Sequence, residues 1–119
     1  MKFLGTGSAL PKKVVSNDDL AQVMDTSDEW IRSRTGIGMR HIAVEETTTS
    51  MAVEAAEKAL ADAKISGCEI DLIIAGTISP DYIFPSLACE VQAAIGAKSA
   101  TAFDLSAGCS GFLFALATA

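Results

Sequence analysis

The sequence feature that most constrains the fold is the stretch of residues 104–114, where a short apolar segment runs into small residues, a cysteine and a second apolar run. The β-prone residues Ala102, Phe103 and Leu105 lead into the turn, and no proline interrupts the apolar run that follows it. This pattern predicts a strand, a tight turn and a helix. Cys109 should therefore lie at or near the first turn of a helix.

A cysteine at a helix N-terminus has chemical consequences. Unpaired backbone N–H groups and the helix dipole favour an anion there, so the thiol of Cys109 is biased toward the reactive thiolate. Gly108 and Gly111 leave no Cβ on either side, which permits a sharp bend and the close approach of a substrate. The arrangement follows the logic of a nucleophile elbow with cysteine as the nucleophile. The alternative is a small buried cysteine where a strand packs on a helix.

Three ordered segments of the chain carry a resemblance to a known family. They are DLSAGCSGF at 104–112, GTGS followed by LP within 5–11, and TSDEWI, RTGI and RHI within 26–42. The first resembles the active-site cysteine segment of β-ketoacyl-acyl carrier protein synthase III, a condensing enzyme of the thiolase superfamily. The other two match the same family in the same order, so the resemblance covers the whole chain.

For the fold, the resemblance implies the α/β class and a thiolase-like fold, of which residues 1–119 are the N-terminal portion only. We expect a layered α/β structure with a mixed sheet and a central buried helix that starts near Cys109. Residues 112–119 agree with this, because they are apolar around most of a helix and end without a glycine, asparagine or basic stop signal. We therefore expect the chain to be truncated within this helix, with the remainder of the fold in a second chain or a missing segment.

The resemblance also implies a coenzyme A site. In the family, the residues that match Thr26, Trp30 and Arg34 line this site, with the tryptophan stacked on adenine, and Arg32 is carried over with them. An indole face offers stacking area and a guanidinium binds phosphate, whereas a lone tryptophan is otherwise more often a core residue. The residue that matches Phe84 reaches across a homodimer into the neighbouring active site, so Phe84 is expected in the acyl channel.

The mechanism implied by the resemblance is a two-stage acyl transfer. Cys109 attacks the thioester of an acyl-coenzyme A, typically acetyl, and backbone N–H groups near the helix start stabilise the oxyanion. Malonyl-acyl carrier protein then loses carbon dioxide and takes the acyl group from Cys109. The family's decarboxylation uses a downstream histidine and asparagine, whereas His41 and Asn17 precede the nucleophile, so the isolated chain is expected to be inactive. No metal and no cofactor are expected; the coenzyme A thioester is a substrate.

Composition narrows the partners and the compartment. With 9 basic against 15 acidic residues, the chain is not expected to bind nucleic acid. Three scattered cysteines without a Cys-x-x-Cys pair, and a single histidine, argue against a disulfide framework and a zinc site and favour a reducing compartment. Gly5 and Gly7 stand where a signal peptide would be apolar, and no stretch reads as a membrane span. We therefore expect a cytoplasmic protein that does not contact membranes.

Local patterns predict the remaining elements. Thr26 and Glu29 fit a capping box at the start of one helix, and Pro85 suits the first position of another. Gly67 and Gly96 are predicted helix stops. The predicted strands are 2–10, 70–77 and 100–105; the predicted helices are 16–24, one beginning at 26, 51–64 and 86–95; and 79–85 is a predicted loop.

Three functions stay open at this stage. The first is a fragment of a synthase III, and the second is a related acyltransferase of secondary metabolism that passes acyl groups to a hydroxyl or an amine. The third is a non-catalytic scaffold subunit in which Cys109 is merely buried. Ser106, Gly108 and Ser110 do not decide between the first two. Thiol reactivity separates the third, because an ordinary cysteine reacts appreciably only near its pKa of about 8.5.

Overall fold

The computed structural model describes residues 2–119, which divide into two compact units. The large unit comprises residues 2–9 and 47–119, and the small unit comprises residues 10–46. The small unit contains β1 (Lys13–Ser16), α1 (Asn17–Ala21), α2 (Asp28–Thr35) and β2 (Met39–Ile42). The large unit contains α3 (Thr48–Ala63), β3 (Leu72–Gly76), α4 (Leu87–Ala94), β4 (Thr101–Leu105) and α5 (Gly111–Thr118), with 3-10 turns at Gly67–Glu69 and Gly108–Ser110.

The small unit is built on an antiparallel ladder between β1 and β2, in which Ser16 lies opposite Met39. Ser16 also begins α1: its hydroxyl accepts from the Asp19 N–H at 3.1 Å, and the Asp19 carboxylate accepts from the Ser16 N–H at 2.8 Å. This reciprocal cap explains why a helix starts here, as predicted. The helix ends earlier than predicted, at Ala21.

The large unit is built on a parallel pair of strands, β3 and β4, that runs from Leu72 opposite Thr101 to Gly76 opposite Leu105. α4 connects the strands and packs on both of them and on α3. The predicted α/β class is therefore confirmed, and the strands of residues 2–119 are distributed over this pair and the antiparallel pair of the small unit. The buried apolar residues come from α4 and the loop after it: Leu87, Ala88, Val91, Ala97 and Ala100.

The first residues of the chain differ from the prediction, because residues 2–10 form no strand. Gly5 and Gly7 instead lie against α3. A Cβ on Gly5 would be 2.5 Å from the Ala63 nitrogen, and one on Gly7 would overlap the Ala55 carbonyl oxygen. The backbone at Gly5 and Gly7 is thus closely packed, but the neighbour is a helix whose backbone groups are already bonded internally, so no ladder forms.

The start of α2 also differs from the prediction. Ser27, not Thr26, is the N-cap, and its hydroxyl accepts from the Trp30 N–H at 3.1 Å. Trp30 is consequently the third helical residue, so Glu29 does not close the predicted capping box. The local sequence offers either hydroxyl as a cap, and the tertiary contacts of Asp28 at the first helical position fix the register.

Two other predicted helix signals act differently in the structure. α3 stops at Lys64, which adopts a left-handed conformation with φ of 57°, before the predicted stop at Gly67. Gly67 is buried instead, where a Cβ would overlap the Ile95 carbonyl oxygen. Pro85 lies before the N-cap Ser86 and not at the first helical position, so it leads the chain into α4 without belonging to the helix.

The helix α5 is apolar around most of its circumference, as predicted, but it is not buried. Phe112, Leu113 and Phe114 are 68%, 66% and 56% exposed, whereas Gly111 is buried. Within the described range 2–119, no element covers these three side chains. The expected central buried helix is therefore present as an apolar helix with an uncovered face.

Replacing Gly67 with alanine should destabilise the large unit, because the added Cβ would overlap the backbone carbonyl oxygen of Ile95. We expect the free energy of unfolding to fall by about 1–3 kcal/mol, the usual cost of overpacking, in urea denaturation followed by circular dichroism. Cys68→Ala, at an exposed neighbouring residue, is the control and should stay within about 0.5 kcal/mol of the parent. An equal loss in both variants would contradict the role of the backbone contact.

Candidate active site

Cys109 lies in the turn between β4 and α5, as the sequence predicts. β4 ends at Leu105, a 3-10 turn spans Gly108–Ser110, and α5 begins at Gly111. The chain bends at Gly108, whose φ of 51° lies in the left-handed region that favours glycine. The Cys109 thiol is free and exposed. The strand–turn–helix prediction is confirmed, and the alternative of a buried cysteine is wrong for the chain as described.

The two glycines beside Cys109 have different roles. Gly108 supplies the bend through its positive φ, and open space surrounds its Cβ position. Gly111 is buried against Gly76 at the end of β3, where a Cβ on Gly76 would be 3.1 Å from the Gly111 carbonyl carbon. The glycine pair lets the first turn of α5 lie directly on the strand. This packing role of Gly111 is not visible in the sequence.

Asp104 anchors the end of β4 to α4, a role not identified from the sequence. Its Oδ2 accepts from the Leu87 N–H at 2.9 Å and its Oδ1 from the Ala88 N–H at 2.8 Å. The Ser86 hydroxyl accepts from the next donor, the Cys89 N–H, at 3.3 Å. The first N–H groups of α4 are thereby satisfied, two of them by an anion that also interacts favourably with the helix dipole. The one signal that could have indicated this contact is an acidic residue within a short, mostly apolar strand.

A second aspartate holds the loop that precedes α4. Asp81 accepts from the Thr48 N–H at 3.0 Å and the Thr49 N–H at 2.7 Å, at the start of α3. The bond from Thr49 is the main reason that the pKa of Asp81 is lowered from 3.8 to about 2. Beyond this anchor the loop is open, with Ile83 99% and Phe84 89% exposed. Phe84 is thus presented at the surface of the unit, and its place in an acyl channel stays a prediction.

Three of the predicted coenzyme A residues come together in the small unit. A cavity of about 340 Å³ is lined by Asp25, Thr26, Ser27 and Trp30. The Trp30 side chain is 55% exposed, and the Arg34 guanidinium carbon lies 4.7 Å from its ring centroid, within cation–π range. The exposed indole offers stacking area for a planar group, and the neighbouring Arg34 guanidinium can pair with an anionic one.

Arg32 has a different environment from Arg34. Its Nε lies 2.9 and 2.8 Å from the two carboxylate oxygens of Asp28, four residues earlier on α2. The guanidinium also lies against Gly38, where a Cβ would overlap it. Arg32 is therefore held in an ion pair within the small unit and is not part of the lining around Trp30. Its assignment to a coenzyme A site stays a prediction that this geometry does not favour.

Metal-ligand clusters and membrane-spanning helices are both absent from residues 2–119. Over this range, no group of three or more His, Cys, Asp or Glu side chains is placed to hold a metal ion. No helix in the same described part has the length and apolar character needed to cross a bilayer. The single histidine, His41, places its Nδ1 2.6 Å from the Pro11 carbonyl oxygen.

Curated relatives match the chain over nearly its whole length. The β-ketoacyl-[acyl-carrier-protein] synthase III of Streptococcus suis is 63% identical over 110 residues, which are 92% of this chain and 34% of that protein. The β-ketoacyl-[acyl-carrier-protein] synthase III 1 of Bacillus anthracis is 59% identical over 118 residues, 98% of this chain and 38% of that protein. The chain thus spans about a third of the length of the curated relatives that it matches. No protein-family model matches the chain.

Solved structures match the same extent of the chain. The crystal structure of 3-oxoacyl-[acyl-carrier-protein] synthase III from Aquifex aeolicus VF5 has a TM-score of 0.95 and 56% identity, over 98% of this chain and 38% of that chain. The priming β-ketosynthase from the R1128 polyketide biosynthetic pathway has a TM-score of 0.95 and 40% identity, over 99% of this chain and 36% of that chain. These similarities confirm the fold class predicted from the sequence.

Truncating Asp104 to alanine should destabilise the large unit, because two N–H groups at the start of α4 lose their acceptor. We expect the free energy of unfolding in urea to fall by about 0.5–2 kcal/mol, the range for helix caps, with a smaller loss for Asp104→Asn, which keeps one acceptor oxygen. Asp71→Ala removes an exposed aspartate just before β3 and is the matched control. If Asp104→Ala were as stable as this control, the anchoring role would be refuted.

The stability of the large unit should depend on pH through Asp81. Because its folded pKa is lowered from 3.8 to about 2, the ionised carboxylate stabilises the fold above about pH 4, and this contribution is lost as the pH falls toward 2. Asp81→Asn should therefore lower the urea midpoint near neutral pH, and its difference from the parent should shrink as the pH falls from about 4 to 2. A difference that stays constant across this window would contradict the assignment.

Proposed function

We propose, from the premise that the chain belongs to the β-ketoacyl-[acyl-carrier-protein] synthase III family and matches its N-terminal third, that it supplies the nucleophile of a condensing enzyme. The complete enzyme condenses an acyl-coenzyme A primer, for which we propose acetyl-coenzyme A, with malonyl-acyl carrier protein. This reaction initiates fatty acid synthesis. The observation that carries this proposal is the free, exposed thiol of Cys109 at a strand–turn–helix junction. Residues 1–119 are, in this proposal, the N-terminal part of the thiolase-like fold.

The first half-reaction loads the acyl group on Cys109. The thiolate forms a bond to the thioester carbon, the bond to the coenzyme A sulfur breaks, and the departing thiolate takes up a proton.

The backbone around Cys109 offers a donor for the oxyanion. Ser110 donates its N–H to the Ala107 carbonyl at 3.1 Å, and Gly111 donates its N–H to the Gly108 carbonyl. Among the described residues, the Cys109 N–H has no such backbone acceptor. We assign this N–H to the oxyanion that develops during the attack.

Recognition of coenzyme A falls, in this proposal, to the small unit. The Trp30 indole stacks on the adenine ring, and Arg34, 4.7 Å from the indole centroid, meets a phosphate. Thr26 adds a hydroxyl from the lining of the same cavity, and this hydroxyl is free for a ligand because Ser27 caps α2. Arg32 is paired with Asp28, so in this proposal it contributes less directly than Arg34 to the binding of coenzyme A.

The second half-reaction needs donors that this chain does not offer. Decarboxylation of malonyl-acyl carrier protein leaves a carbanion that takes the acyl group and returns the Cys109 thiolate. The single histidine, His41, is engaged with the Pro11 carbonyl, and Asn17 is 1% exposed with its amide bonded inside the small unit. We propose that the decarboxylation residues lie in the two thirds of the relatives that the chain does not match, so the chain alone is inactive in condensation.

Several features support the proposed assembly and compartment. The uncovered apolar face of α5, with Phe112 68% exposed, supports a remainder of the fold that packs on it. The exposed Phe84 loop supports a homodimer in which this side chain reaches the partner's acyl channel. The three cysteines are free, which supports the reducing cytoplasm.

A related acyltransferase of secondary metabolism is the second candidate function. The similarity to the priming β-ketosynthase of the R1128 polyketide pathway, at 40% identity and a TM-score of 0.95, supports a place in secondary metabolism, whereas the synthase III of Aquifex aeolicus VF5 matches at 56% identity. Both candidates use the Cys109 thioester and differ in the acceptor. The scaffold alternative is less favoured, because it assumes a buried cysteine and Cys109 is exposed.

The nucleophile is tested by acyl loading. We expect incubation of the polypeptide that contains this chain with acetyl-coenzyme A to give one acetyl adduct, which peptide mass mapping places on Cys109. Cys68→Ala, which removes another exposed thiol, should load normally, and Cys109→Ala should not load at all. No adduct, or an adduct that persists in Cys109→Ala, would overturn the proposal.

The acceptor separates the two enzymatic candidates. The loaded protein is mixed with malonyl-acyl carrier protein or with hydroxyl and amine acceptors. Release of a β-ketoacyl-acyl carrier protein together with carbon dioxide supports the synthase, and transfer to a hydroxyl or an amine without loss of carbon dioxide supports the alternative. The 119-residue chain by itself should give no condensation product.

A further inference from the structure

We propose that Asn17 is a positioning residue for coenzyme A recognition, because its single buried amide ties both ends of α2 to the rest of the small unit. The inference rests on the proposed function, since α2 carries Trp30 and Arg34. Asn17 touches neither side chain in its described contacts, so it acts through the placement of the helix and not through the ligand.

The donor side of the amide reaches both ends of the helix. Asn17 is 1% exposed, and its Nδ2 donates to Asp28 Oδ1 at 2.8 Å, at the first residue of α2. The same Nδ2 donates to the Ile37 carbonyl oxygen at 2.8 Å, just beyond the C-terminal Gly36. The Asn17 backbone N–H adds a bond of 3.2 Å to the Gly38 carbonyl. One residue therefore holds the start of α2 and the segment that leaves it.

The acceptor side fixes which way the amide faces. The Arg40 guanidinium on β2 donates to Asn17 Oδ1 and also to the Val15 carbonyl oxygen on β1, at 3.2 Å. Because a guanidinium can only donate, Oδ1 must face Arg40 and Nδ2 must face Asp28. Both sides of the amide are thus used, as a buried amide requires. The network links the β1–β2 ladder to α2.

This clamp matters because α2 has few other means of support. A helix of eight residues is too short to be stable alone, and it has no buried residue of its own. The exposed indole of Trp30 keeps its direction only if the helix axis keeps its place. Pre-organising Trp30 and Arg34 lowers the ordering cost that a stacked, phosphate-bearing ligand would otherwise meet.

The informative substitution is Asn17→Asp, which keeps the shape of the side chain but replaces the hydrogen-bond donor Nδ2 with an acceptor. An oxygen would replace Nδ2 and face the Asp28 carboxylate and the Ile37 carbonyl, with no proton to share. Asp28→Asn is a milder second variant: it weakens the bond from Asn17, because an amide oxygen replaces the charged acceptor, and it also loses the ion pair with Arg32. It keeps the inference testable if Asn17→Asp does not fold.

The matched control is Glu46→Ala, which weakens the small unit away from α2. Glu46 accepts from the Lys12 N–H at 3.0 Å and the Val44 N–H at 3.1 Å, and these bonds, that from Lys12 foremost, lower its pKa to about 2. Its loss should reduce stability without moving the helix. A role of Asn17 in stability alone would make Asn17→Asp and Glu46→Ala behave alike once both are folded.

Two readouts use Trp30, the single tryptophan of the chain. Without ligand, Asn17→Asp should change both the near-ultraviolet circular dichroism and the acrylamide quenching of Trp30. Asp28→Asn should change both measurements less, and Glu46→Ala should leave them as in the parent. With coenzyme A, quenching of Trp30 should report a Kd at least about tenfold weaker in Asn17→Asp, equivalent to about 1.4 kcal/mol, and within about twofold of the parent in Glu46→Ala.

The ratio of affinities for coenzyme A and dephospho-coenzyme A identifies the kind of role. A positioning residue should weaken both ligands by the same factor, whereas a direct phosphate contact such as Arg34→Gln should change their ratio. Folded Asn17→Asp and Asp28→Asn proteins with the parent's spectra would overturn the inference. Failure of the parent to bind coenzyme A would count against the proposed function, and the ligand-free spectra would still decide the role of Asn17.

Discussion

The geometry of the candidate nucleophile depends on the contact between the Asp104 carboxylate and the first N–H groups of α4. This contact closes the crossover between β3 and β4 at the edge where the strands end, so the chain leaves β4 in a fixed direction. On the other side of the turn, Gly111 lies on Gly76 and fixes the first turn of α5. Cys109 sits between these two constraints, exposed and free. The site is thus held by backbone contacts that need an anion on one side and the absence of Cβ atoms on the other.

The small unit uses the opposite strategy, a buried polar network in place of an apolar core. Asn17 is the buried polar residue of the described chain, and its amide is fully bonded. Such a network is costly if incomplete but specifies one arrangement when every member is satisfied. That property suits a short helix whose outer face presents an aromatic ring and a cation.

Each unit also has a feature that its own residues do not complete. The apolar side chains of α5 are uncovered, and the histidine and the buried asparagine of the chain are both engaged in local bonds. The chain matches about a third of the length of its curated relatives. Under the proposed function, Cys109, Trp30 and Arg34 serve the first half of a two-stage transfer. In that proposal, the groups for the second half lie outside residues 2–119.

The local sequence was sufficient for features that a few neighbouring residues determine. The strand–turn–helix around Cys109, the cap of α1 by Ser16 and Asp19, and the stop at Gly96 all follow from nearby side chains and backbone freedom. Only the tertiary structure decided which of Thr26 and Ser27 caps α2 and why residues 2–10 form no strand. It also assigned the roles of Asp104, Gly111 and Asn17. These three roles depend on residues that are distant in sequence. A local sequence pattern therefore does not predict that a carboxylate such as that of Asp104 lies next to the N-terminus of a particular helix.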